Sequence, residues 1–230
     1  MLYERIFMEE SPTRKNVNTR PVPAVTYRPF EPADLTALAR ILGDVWWKGL
    51  ARSDRELEAM GTADFASYFS RATFSEVAVI DGIASGVVLA RAGQPDDEHA
   101  RAWKGAADRA MATVRSLNPE GQREMERYLA RERAIDLELI AQSGCDERFE
   151  LVLFAVAANT RGLGVGKRLL ADAERSLRAS GATTYFLYTD TGCTWQFYEH
   201  RGMRQAARFK VPEEERGSLC EQYFVYEGYL

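Results

Sequence analysis

Histidine and cysteine are scarce in this 230-residue chain, and no cysteine pair has metal-binding spacing. The only histidines are His99 and His200, and the cysteines are Cys145, Cys193 and Cys220. Without a CxxC pair or a histidine cluster, no zinc site or other metal centre is expected. Three distant cysteines, odd in number, fit reduced thiols in the cytoplasm better than a disulfide framework. Long apolar runs are missing too: nothing approaches the ~20 residues that span a bilayer. The first 23 residues carry charges throughout and lack the apolar core of a secretion signal. Nor is there an excess of basic residues. Thirty lysines and arginines face 34 acidic residues, a net charge of −4, so no global field draws in nucleic acid or an anionic membrane.

What remains has the make-up of an ordinary soluble protein, long enough for one sizeable domain or a domain with an insertion. Residues 1–23 read as a flexible polar tail ending in Pro21-Val22-Pro23, and residues 24–230 as a single domain. A short strand is expected at 24–28. A helix follows from Pro32, with Leu35, Leu38, Leu42, Val45 and Trp46 on its apolar face. A shorter helix is expected at 64–71, with Phe65, Tyr68 and Phe69 inward. Two β-rich runs, 75–80 and 83–91, flank Asp81-Gly82, the dipeptide of a tight primed hairpin turn.

The character changes from residue 95 to 148. Apolar residues from Trp103 to Leu117 recur at helical spacing. Asn118-Pro119 then supplies an N-cap and a first-turn proline, and Met125, Tyr128, Leu129, Leu139 and Ile140 line a second helix. This segment reads as an inserted helical hairpin, too short to bury a core of its own. Its charges, including Arg131, Glu132 and Arg133, read as a solvated face. His99 is expected at the surface.

The most informative stretch follows. Residues 149–156, Phe-Glu-Leu-Val-Leu-Phe-Ala-Val, form the near-continuous apolar run of a strand buried on both faces. A glycine loop comes next, Arg161-Gly162-Leu163-Gly164-Val165-Gly166-Lys167, and then an amphipathic helix marked by Leu169, Leu170, Ala173 and Leu177. Strand, glycine loop and helix in that order make an anion trap. Glycines let the backbone approach a ligand, and the first helical N–H groups have no internal partners. The loop fails the P-loop pattern, which needs glycine at Arg161 and Ser or Thr at Arg168, and the dinucleotide fingerprint, which needs glycine at Lys167.

What fits is RxxGxG, as Arg161, Gly164 and Gly166. Here the sequence resembles the GNAT superfamily of N-acetyltransferases, whose motif for the coenzyme A pyrophosphate looks like residues 156–170. A second block, Phe197-Tyr198-Glu199 followed by Gly202-Met203, is similar to that family's FYE-x-x-G-F segment. The resemblance covers roughly residues 25–209 and implies an α/β fold with a mixed, mostly antiparallel sheet, flanking helices and a splayed central parallel pair, 151–156 and 184–188. Residues 222–226 read as the last strand.

The implied activity is direct transfer of an acetyl group from acetyl-coenzyme A to a primary amine of a small molecule or peptide. A non-catalytic acyl-coenzyme A-binding regulatory module is the alternative. By position, Phe154, Ala155 and Val156 would meet the pantetheine arm, the 161–167 loop the pyrophosphate, and Tyr198 would be general acid and cofactor neighbour. Thr191 stands where the family often has an asparagine that bonds the coenzyme arm, Ala158 where it often has proline, and Met203 where an aromatic is usual. Glu150, opening the central strand, is the candidate base for an amine whose pKa in water is ~10. Cys193 has no histidine argued beside it and reads as a structural thiol. Trp46 and Trp47 are candidate acceptor-site residues. Homodimers are common in the family.

Overall fold

The computed structural model describes residues 24–160, 162–217 and 219–230; the expected N-terminal tail and Arg161 lie outside them. Seven strands form one sheet in the order β1-β2-β3-β4-β5-β7-β6. They are β1 (Val25–Arg28), β2 (Phe74–Ile80), β3 (Ile83–Ala92), β4 (Phe149–Val156), β5 (Thr184–Asp190), β6 (Arg204–Lys210) and β7 (Gln222–Tyr229). Only the central β4–β5 pair is parallel; every other neighbour is antiparallel. The expected α/β sheet is therefore present. The hairpin turn is as its dipeptide predicts, with Asp81 (φ 49°) and Gly82 (φ 81°) both left-handed.

The first helix departs from expectation in its last turn. Pro32–Asp34 form a 3₁₀ turn leading into α1 (Leu35–Leu42), and a π-helical turn, Gly43–Trp47, follows. The wider turn shifts the helical phase. Val45, expected to face inward, is 53% exposed, and Trp47 takes the core position instead. Helix α2 is longer than its apolar pattern suggested, Asp54–Phe69 rather than 64–71. Ser53 caps it, its hydroxyl accepting from the Glu56 backbone N–H. Glu56 looks like a solvated charge in sequence yet is buried: its carboxylate accepts from the Arg52 backbone N–H (2.9 Å) and the Asn118 side-chain amide (2.8 Å).

Between β3 and β4 run two long helices, α3 (Asp97–Leu117) and α4 (Pro119–Ser143), where the helical hairpin was expected. Asn118 caps α4 through Gly121 while holding Glu56, so the turn between them is fastened to α2. His99 is not a free surface residue. Its ring nitrogen bonds the Phe69 carbonyl (2.7 Å) and its ring meets Phe69 edge-on, docking α3 on α2. Helix α4 continues across the sheet to β6 and β7, where Ile135, Leu139 and Ile140 join Phe186 and Val225. Helix α5 (Val165–Ala179) packs on β2, β3 and β4 through Leu169, Leu170, Ala173 and Leu177, and the short α6 (Gln196–His200) lies beyond β5.

Helices α1 and α2 meet at Gly61. A Cβ there would stand 1.9 Å from the Ala39 carbonyl oxygen, so backbone must move to admit one. Gly61→Ala should lower stability by about 2 kcal/mol or more, read as a fall in the urea midpoint at unchanged slope. An unchanged midpoint would show that the helices are not in this contact.

Candidate functional site

The central strands part almost as soon as they meet. β4 and β5 pair at one position, Glu150↔Phe186. On its other side β4 is paired with β3 from Ala92↔Phe149 to Gly86↔Val156, and β5 with β7 along its whole length. The local cause is a bulge: Leu89 opposes Leu153 and Ala90 opposes Leu151, leaving Val152 as an extra residue. A bulge bends and twists its strand, here just past the one β4–β5 bridge. The opening is a cavity of about 690 Å³. Phe154, Ala155 and Val156 line it, so unpaired strand backbone faces open space in the middle of a sheet.

The glycine loop sits at one end. Gly162 (φ 80°) and Gly164 (φ 73°) adopt left-handed backbone, and Gly164 is the N-cap of α5. Gly166 lines the cavity, and a Cβ on it would come 3.2 Å from the Phe154 ring, so its lack of side chain lets α5 begin close against β4. Val165 is buried in the core, Leu163 packs on that core, and Lys167 is exposed. The Thr191 hydroxyl accepts from the Gln222 backbone N–H (3.3 Å), tying the end of β5 to β7.

Tyr198 of α6 reaches the cavity wall. It is 9% exposed, set edge-on to Phe197 and near Tyr226. Burial, then the neighbouring Cys193 and Asp190, hold its phenol well above the ordinary tyrosine range, so it keeps its proton. Cys193 also lines the cavity. Burial and Asp190 push its thiol up to about 12, which leaves it protonated and a poor nucleophile.

The two tryptophans separate. Trp46 lines the cavity, whereas Trp47 is buried and its indole N–H donates to Asp64. Glu150 does not line the cavity. It is 1% exposed beneath it, held by Arg91 (2.8 Å) and Arg71 (3.2 Å). Arg71 does reach the wall, its guanidinium 5.5 Å above the Tyr68 ring. Glu150 thus fixes Arg71 at the floor of the site.

Two further carboxyls enter from α4. Glu132 and Asp136, one turn apart, both line the cavity. Burial, reinforced by Asp136, Asp64 and Asp190, raises Glu132 to about 8. Burial raises Asp136 to about 7; Arg71 opposes this, and Glu150 and Asp190 add to it. Sequence reading missed both because charges at 131–133 look solvated. The signal was their phase: Tyr128, Glu132, Asp136 and Leu139 continue one stripe of α4, so the acids occupy positions that point inward. The cavity is therefore lined by a protonated phenol, two carboxyls raised to about 8 and about 7, and open strand backbone.

Residues 137–203 match the model of the Acetyltransferase (GNAT) family. No curated protein matches the chain significantly. Among solved structures, Ard1 from Thermoplasma volcanium is similar at 14% identity and TM-score 0.52, with 90% of this chain and 98% of that one covered. A mosquito arylalkylamine N-acetyltransferase, like 5b, gives 15% identity and TM-score 0.51 over 90% and 100% of the two chains. A GNAT-family acetyltransferase from Staphylococcus aureus Mu50 gives 12% and 0.50 over 89% and 99%. At these identities the structures establish a shared fold. With the family match, they bear out the GNAT resemblance read from the two sequence blocks.

The raised carboxyls set a sign for stability against pH. Glu132, Asp136 and the buried Asp64 (about 7) bind protons more tightly folded than unfolded. Ionisation between pH 5 and 8 therefore favours the unfolded chain, and stability at these groups falls as pH rises through that window. Asp136→Asn and Glu132→Gln should each flatten the decline in melting temperature from pH 5 to 8. A slope identical to the parent's in both variants would contradict the assigned environments.

Proposed function

We propose that this chain, with its GNAT fold and its family match over residues 137–203, transfers an acetyl group from acetyl-coenzyme A directly to a primary amine of a small molecule or peptide. The observation that carries this reading is the single-pair junction of β4 and β5, which opens into a cavity lined by a proton donor, Tyr198, and by the proton acceptors Glu132 and Asp136. Acetyl-coenzyme A would supply a thioester, with its amide-bearing arm alongside Phe154, Ala155 and Val156 in place of a neighbouring strand. The first N–H groups of α5 and the Gly162–Lys167 loop, with Arg161, suit the pyrophosphate.

The acceptor arrives as an ammonium ion and must lose a proton before its nitrogen can attack. A base near neutrality suits this step. We assign it to the Glu132–Asp136 pair, whose raised carboxyls lie in the cavity. Glu150, the base nominated from sequence, then acts as a positioning residue by fixing Arg71. As the C–N bond forms and the C–S bond breaks, Tyr198 gives its proton to the departing sulfur. Confinement in one cavity supplies the orientation, so no protein nucleophile is needed. Three free thiols fit a reducing compartment, and we place the reaction in the cytoplasm.

Thermal unfolding with and without acetyl-coenzyme A tests the cofactor site. At about 100 times its dissociation constant the ligand should stabilise the fold by ~2.7 kcal/mol. Gly164→Glu, which puts a negative side chain at the N-cap of α5, should abolish that shift. Tyr198→Phe should keep the shift while lowering kcat on the order of 100-fold. No shift in the parent at millimolar acetyl-coenzyme A would overturn the transferase reading.

A further inference from the structure

We propose that the acceptor is a compact aliphatic diamine, one nitrogen being acetylated while Glu132 and Asp136 together hold the second as an ammonium ion and receive the proton of the first. The proposal rests on the transferase reading above and specifies its substrate.

The charge around the cavity is lopsided. Among the described lining residues, Asp44, Glu132, Asp136 and Asp190 bring four carboxyls and Arg71 a single guanidinium. That guanidinium is engaged by the buried Glu150 and lies over Tyr68. Two of the carboxyls also have partners. Asp44 at the rim approaches Lys48 (3.7 Å), and Asp190 accepts from the Gly192 backbone N–H (2.6 Å) and the Cys220 thiol (3.1 Å).

Glu132 and Asp136 are different. Among the described residues no ion pair reaches either. The nearest donor to Glu132 is the Tyr128 hydroxyl at 3.4 Å, itself 3.5 Å from the Tyr223 hydroxyl. Two carboxyls lining one cavity without a counter-ion either keep their protons or take positive charge from a ligand. The aromatic side chains of Trp46, Tyr68 and Tyr223 line the same space and give it apolar surface for an aliphatic chain.

Two carboxyls call for more than one positive group because the reaction consumes a charge. An acceptor with a single amine becomes neutral before attack, leaving one carboxylate facing an uncharged nucleophile. A second ammonium keeps that carboxylate paired throughout. Residues four apart on a helix are neighbours on one face, so one compact molecule can reach both carboxyls with its two nitrogens. An amino acid would bring its own carboxylate against this wall, and a peptide N-terminus only one charge.

The protons balance. Two leave the attacked nitrogen. One passes to the carboxyl pair and on to solvent; the other leaves as the C–N bond forms and restores Tyr198, which has protonated the sulfur. The second ammonium is unchanged.

The test compares 1,4-diaminobutane with butylamine, using the full chain. With acetyl-coenzyme A, kcat/KM for the diamine should exceed that for the monoamine by about tenfold or more. Glu132→Gln and Asp136→Asn should each bring that ratio to within about twofold of unity, with the acetyl-coenzyme A thermal shift retained as evidence of folding. Calorimetric titration of both amines into the coenzyme A-saturated protein, without turnover, gives the second measurement. Diamine binding that is lost in both variants, with no acetylation of either amine, would support recognition of the diamine by Glu132 and Asp136 while overturning its role as acceptor together with the transferase reading. Equal kcat/KM for the two amines, a preference that survives both substitutions, or no calorimetric diamine binding would overturn the proposal and leave acetyl transfer to other amines standing.

Discussion

A strand in the interior of a sheet ordinarily satisfies its backbone on both sides, and a buried peptide group left without a partner costs about 1–3 kcal/mol. β4 is satisfied on one side only. Its extra residue at Val152 turns it away from β5 directly after the Glu150↔Phe186 bridge, and most of its β5-facing edge opens onto a cavity. The rest of the molecule is arranged around that gap. α5 closes it on one face, able to come close because Gly166 leaves room for Phe154. α1, its π-helical turn and α2 close the other face. α4 crosses from α2 to β6 and β7, joining the parts of the sheet that β4 and β5 do not hold together.

Carboxyls around this gap are treated in two ways. Glu150 is fully buried between two arginines, so removing either guanidinium would strand its charge. It belongs to the frame. Glu132 and Asp136 are partly buried with no such partners, and their affinity for protons rises accordingly. They belong to the cavity. Two environments thus sort acids of the same kind into an ion-paired carboxylate and two proton-holding carboxyls.

The β4–α6 side of the cavity was legible because its signals are local. The apolar run of β4, the glycines that take left-handed backbone and the tyrosine block stand in one stretch of sequence. The side lined by the α1–α2 region and α4 was obscured by two physical effects. A π-helical turn has no compositional signature, so nothing in Val45-Trp46-Trp47 announces that Trp46 meets the cavity, Trp47 the core and Val45 the solvent. Buried acids resemble exposed ones until their partners are known. Glu56 is matched by Asn118 sixty-two positions away, and Glu132 and Asp136 face a space lined also by α1, α2, β4, β5, α5, α6 and β7. Only the phase of α4 carried a trace of this.

The family match begins at residue 137, one position beyond Asp136. The cavity residues inside that match, from β4 to α6, are contiguous in the chain, while those outside it come from the α1–α2 region, the latter half of α4 and β7. An exchange of the α3–α4 hairpin, fastened at its turn through Asn118 and Glu56, would therefore replace two carboxyls of the cavity wall and the brace on β6 and β7 together.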